Sequence, residues 1–106
     1  MRPIPPALRK QLAASQFMQQ CCFKGCGHKE VEWNHALFYA GQQINEWYAI
    51  VPLCDYHHRG NNGTIWQDVR DYCERLAIEQ GLEHLQIHYP KSNWKQRYDY
   101  LKKYEK

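Results

Sequence analysis

The sequence predicts a small α+β domain in which two strands and a helix form a metal-stapled core, with a further helix at each end. Three observations predict it. Two close pairs of thiol and imidazole residues, Cys22-x3-Cys26 and Cys54-x2-His57, enclose the strand-like part of the chain. Helical periodicity fills the chain outside those pairs. The length of 106 residues, 43% hydrophobic and 24% charged, suits one globular domain near the size at which a metal begins to help a modest core.

The elements follow in order within a single domain spanning 1–106. PPALRKQLAASQFMQQ reads as an N-terminal helix over 5–20, with Pro6 in its first turn and Leu8, Leu12, Ser15/Gln16 and Gln19 marking successive turns. A zinc knuckle and ββα core occupy 21–80. Its knuckle bends at Gly25 and Gly27. The runs VEW and WYAIVPL then predict an antiparallel hairpin with a long loop, and Pro52 should close the second strand because it has no N–H for a ladder. GNNGT is a turn that hands over to the helix IWQDVRDYCERLAIEQ, capped by Thr64 and stopped by Gly81. Ile65, Val69, Tyr72, Cys73, Leu76 and Ala77 form its apolar face. A basic C-terminal helix over 92–106 starts after Ser92, with Trp94, Tyr98, Leu101 and Tyr104 on its buried side.

The chemistry-bearing residues fall into two groups. Cys22, Cys26, Cys54 and His57 are the donor types of a tetrahedral structural zinc that pins two distant segments, with Cys21 or His28 as alternatives to Cys22. An odd total of five cysteines suits metal binding inside the cell better than a disulfide framework. Cys73, on an apolar helical face, reads as core filling. His58 follows His57 directly, so the two rings should face different ions or different sides. Asn34-His35 closes the first strand, where alternation likewise separates the two side chains. Hydrolysis of a phosphodiester needs a base for water and a cation at the phosphate. His35 is the candidate base; Asn34, His58 and Asn62 are candidate ligands of a catalytic Mg²⁺ or Mn²⁺.

The residues EWNH followed by IVPLCDYHH resemble the HNH, or ββα-metal, nuclease family, particularly its small phage and prophage members, over roughly residues 22–75. The resemblance implies that His35 is the general base, that His58 binds the catalytic ion, that Asn62 adds a third ligand, and that His57 replaces the usual fourth zinc cysteine. Asn34 stands where the family carries aspartate or histidine. The family's middle asparagine braces the loop behind the base; the position nine residues before His58 is Ala49, and the nearby asparagine is Asn45. Arg59, beside His58, is placed to contact the scissile phosphate.

The net charge of +3 is concentrated at the ends: Arg2, Arg9 and Lys10 at one, and Lys91, Lys95, Arg97, Lys102, Lys103 and Lys106 against Asp99 and Glu105 at the other. This distribution fits a phosphate-binding surface. The expectation is therefore a DNA endonuclease of the bacterial or phage-infected cytoplasm, working as a homodimer or with a recombination or replication partner, and with no membrane segment. The rival expectation is a non-catalytic zinc-knuckle module that binds DNA or protein.

Overall fold

The computed structural model describes residues 4–60 and 66–102. Strands β1 (Val31–His35) and β4 (Ile50–Cys54) form the expected antiparallel hairpin, with Val31 opposite Cys54 and His35 opposite Ile50. Trp47–Ala49, expected to open the second strand, instead make a 3-10 turn that buries Tyr48 and Ala49. Pro52 lies inside β4, opposite Trp33, rather than at its end. A two-stranded sheet leaves one side of β4 without a ladder, so a residue lacking N–H is accommodated. The Pro52 carbonyl accepts the N–H of Cys22 at 2.9 Å, which ties the knuckle to the sheet.

The excursion between the two strands is closed at its neck, where Ala36 N–H donates to the Ala49 carbonyl (2.7 Å) and Ile44 N–H to the Leu37 carbonyl (3.1 Å). Beyond the neck a second hairpin pairs β2 (Phe38–Tyr39) with β3 (Gln42–Gln43). Its turn residues, Ala40 and Gly41, have φ of 52° and 80°, the two positive angles of a mirror-type hairpin turn. The sequence predicts only a long loop here, and the structure adds this short hairpin to it.

Helix α1 (Pro6–Ala13) is shorter than expected. Ala14 N–H and Ser15 N–H bond back to the Gln11 and Leu12 carbonyls, and an extended Ser15 separates α1 from a 3-10 turn over Gln16–Gln19. The break swings Met18 into a small core with Leu12 and Ile50. Helix α2 (Trp66–His88) packs across both hairpins, burying Val69 and Cys73 against the sheet and Ala77, Ile78 and Leu85 against Leu37, Ile44 and Tyr48. Helix α3 (Trp94–Lys102), opened by Asn93 Oδ1 accepting from Gln96 N–H, buries Trp94 and Leu101 in the same core. Thr64, Ile65 and Tyr104 lie outside the described residues. Among those described, no helix is long and apolar enough to cross a membrane.

Gly81 does not stop α2, which runs on through it to His88. The reason is packing: the buried Tyr48 ring rests where a Cβ on Gly81 would stand. Tyr48 is held there by its hydroxyl, 2.7 Å from His84 Nδ1 one turn along α2. Alanine at 81 gains about 1 kcal/mol of helix propensity but displaces a buried ring, a cost of about 1–3 kcal/mol or more. Gly81→Ala should therefore lower the melting temperature in calorimetry.

Candidate functional site

The first site is built where the knuckle meets the end of β4. Positive φ at Gly25 (79°) and Gly27 (66°) turns the knuckle back on itself, with Cys26 N–H donating to the Phe23 carbonyl and Cys21 N–H to the His28 carbonyl. Beyond β4, Tyr56–Gly60 form one wide turn of π type that carries His57 back beside Cys54. Cys21, Cys26, Cys54 and His57 thereby come together, each donor atom within 4.8 Å of the others. The separations are 3.5 Å from Cys21 Sγ to His57 Nδ1, 3.7 Å from Cys26 Sγ to Cys54 Sγ and 3.2 Å from Cys54 Sγ to His57 Nδ1. A tetrahedron with zinc–sulfur bonds of about 2.3 Å has edges of about 3.8 Å, so this Cys3His group fits a zinc ion.

Protonation favours the same assignment. Burial holds the His57 pKa below its ordinary value, which keeps the ring neutral, as a metal ligand must be. Burial pushes the Cys21 thiol up to about 12, so metal binding there must expel a proton. Phe23 packs on His57 with ring centres 4.6 Å apart and the planes tilted by 33°, and meets Tyr72 of α2 edge-on, fixing the ring against the helix.

The fourth ligand position corrects the expected set. Cys21, not Cys22, joins the group. Cys22 turns the other way, its Sγ 4.0 Å from the buried Cys73 Sγ, and its thiol pKa is lowered chiefly by that contact. Adjacent residues in an extended backbone point to opposite sides, so only one of the two can face the ion. His28 is exposed, with Nδ1 near Glu30 N–H, and stays outside the group. Cys73 fills core, as expected. Cys21→Ser should therefore lose most of the bound zinc in metal analysis of the purified protein, whereas Cys22→Ser should retain a full equivalent.

The second site is a cleft of about 540 Å³ between the end of β1 and the helices, lined by Asn34, His35, His57 and His58 together with Arg70 of α2 and Arg97 of α3. His35 ends β1 at the neck of the excursion, which brings Asn45 back beside it: Asn45 Oδ1 lies 2.6 Å from His35 Nε2. An amide oxygen can only accept, so in this pair Nε2–H is the donor, and the neutral form of the ring has its lone pair on Nδ1. His58 Nδ1 lies 2.7 Å from Glu32 Oε1. Asn34 lines the cleft while its Nδ2 donates to the Glu32 carbonyl at 3.1 Å. Arg97 makes a two-pronged ion pair with Glu74 (2.7 and 2.9 Å), which holds its guanidinium pKa above the ordinary arginine value.

Of the residues singled out from sequence, Asn34, His35 and His58 meet in this cleft and Asn45 supports it from the loop. Asn62 and the side chain of Arg59 lie outside the described residues. Glu32 and Arg70 were missed. Glu32 stands two residues before Asn34, on the same face of an alternating strand, and that spacing was the available signal. Among the aromatics, Phe38 is 51% exposed at the cleft, Trp47 is exposed, and Tyr39 packs on Trp94 and Tyr89. Trp33 turns away to donate its indole N–H to the Met18 carbonyl. No family model matches this chain, and neither a curated protein nor a solved structure matches it.

Proposed function

We propose that the protein is an HNH-type, metal-dependent endonuclease that hydrolyses DNA phosphodiester bonds, with His35 as general base and Mg²⁺ or Mn²⁺ held near His58. The observation that carries the reading is the cleft itself: an imidazole with one nitrogen engaged by Asn45 faces the same space as a second imidazole, an amide and two guanidinium groups. In this reading water gives its proton to His35 Nδ1, and the Asn45 oxygen on Nε2–H stabilises the imidazolium that results. The water oxygen bonds to phosphorus as the bond to the leaving oxygen breaks, and that oxygen takes up a proton from solvent water. Arg70 and Arg97 attract the flanking phosphates, Arg97 with its charge partly offset by Glu74.

The donors facing the cleft near His58 are its own imidazole and the Asn34 amide oxygen, a nitrogen and oxygen pair that with water suits Mg²⁺ or Mn²⁺, while the Glu32 carboxylate is engaged by His58 Nδ1. When bound, such an ion supplies positive charge at the scissile phosphate and leaving oxygen. The Cys3His group is read as a structural zinc, separate in its chemistry from that ion. A domain of this size would cut both strands as two copies or beside a partner.

The neutral Asn34 favours a second reading, a zinc-knuckle module that binds DNA without cutting it, because an amide holds a divalent ion more weakly than a carboxylate. Nicking of supercoiled plasmid by zinc-loaded protein separates the two. The nuclease reading expects cleavage on adding Mg²⁺ or Mn²⁺ with zinc retained. Binding without cleavage under all metal conditions favours the module.

A further inference from the structure

The geometry points to Glu32 as a positioning residue that sets the tautomer and aim of His58. The contact is tertiary: 26 residues separate the two side chains, yet Oε1 and Nδ1 lie 2.7 Å apart. Two fixed points bring them together. Glu32 sits opposite Leu53 in the β1–β4 register, and Cys54 at the end of β4 and His57 inside the Tyr56–Gly60 turn both belong to the Cys3His group. His58, next to His57 in that turn, is therefore held where its Nδ1 reaches the Glu32 carboxylate.

A carboxylate at neutral pH only accepts hydrogen bonds, so the neutral His58 ring must carry its hydrogen on Nδ1. Its lone pair is then on Nε2, the one ring atom able to meet a cation. In water a histidine side chain prefers the opposite tautomer, with the hydrogen on Nε2, so the choice depends on the partner. Loss of a carboxylate behind a ligating histidine typically weakens metal binding about 10- to 100-fold. The side chains of His58 and Glu32 are 35% and 51% exposed, so the ring stays reachable from solvent. The role of the ion rests on the nuclease reading; the tautomer does not.

The test uses the full zinc-loaded chain as wild type, Glu32→Ala and Glu32→Gln. Long-range proton–nitrogen NMR reads the His58 tautomer, and Mn²⁺ titration followed by electron paramagnetic resonance reads affinity. Wild type should hold the hydrogen on Nδ1. Glu32→Gln, whose amide oxygen still accepts, should keep that tautomer and bind Mn²⁺ within a few-fold of wild type. Glu32→Ala should move the hydrogen to Nε2 and bind Mn²⁺ about 10- to 100-fold more weakly, with zinc content and thermal unfolding unchanged. The positioning role is overturned if Glu32→Ala leaves tautomer and Mn²⁺ affinity as they were, if Glu32→Gln loses as much affinity as alanine, which would make Glu32 a direct ligand, or if wild type binds no Mn²⁺. Plasmid cleavage with no Glu32 dependence would leave the nuclease reading standing and this one refuted. Glu32-dependent tautomer and Mn²⁺ binding without cleavage would do the reverse.

Discussion

His35→Ala should reduce DNA cleavage by about 10²- to 10⁴-fold, the usual contribution of a positioned general base, while leaving zinc content and melting temperature close to wild type. The two outcomes separate because His35 is half-buried at the rim of the cleft and outside the three core clusters. Removing its ring takes away the proposed proton acceptor without opening a cavity in the packed interior. The Asn45 oxygen contacts the His35 ring at Nε2, so in the proposed mechanism Asn45 acts by orienting His35. Asn45→Ala should therefore lower the turnover rate less than His35→Ala does. Gel assays of plasmid nicking, run beside zinc analysis and thermal melts, read all three quantities.

Cys54→Ser should cost the protein its cooperative fold. Cys54 is buried on β4, faces Cys26 and His57 within the Cys3His group, and packs with Val51, Leu53, Val69 and Cys73. Structural zinc in small peptides contributes about 10–16 kcal/mol of apparent binding free energy, against a typical net stability of about 5–15 kcal/mol for a whole domain. Loss of the metal is thus large enough to unfold the chain, and a strong chelator should do the same to wild type. Acid should act in that direction too. The His57 pKa in the folded chain is depressed from its ordinary 6.5, so folding favours the neutral ring. That contribution is present above the ordinary value and is lost as pH falls through the depressed one. Circular dichroism during chelator titration and acidification should show loss of helix together with zinc release.

How far these features were legible depends on whether local or tertiary physics decided them. The β1–β4 hairpin and the helices α2 and α3 were legible because alternation and helical period write their buried faces into the sequence. So was the meeting of His35 and His58, since each ends or follows an element whose position was clear. Cys22 was the expected ligand and Cys21 takes the place: which of two neighbours joins the group depends on how the backbone is delivered to Pro52, a tertiary contact. Gly81 misled because glycine after a periodic run usually ends a helix, whereas here it makes room for the ring of Tyr48, 33 residues earlier in the sequence. The turn Ala40-Gly41 carried a weaker signal than Asn-Gly would, since alanine seldom takes positive φ. The contact between Asn45 and His35 was only partly legible. Asn45 stood out as an asparagine near the expected position, and the closed neck of the excursion is what brings it to the ring.

The most direct test of the central claim is a side-by-side cleavage assay of wild type and His35→Ala on supercoiled and linear DNA, with EDTA, Mg²⁺ or Mn²⁺ and with zinc content followed throughout. The account predicts that wild type cuts only with the added divalent ion and that the mutant, folded and carrying its zinc, is inactive or nearly so. Equal cleavage by the two proteins, or no cleavage by a zinc-replete wild type that still binds DNA, would contradict it.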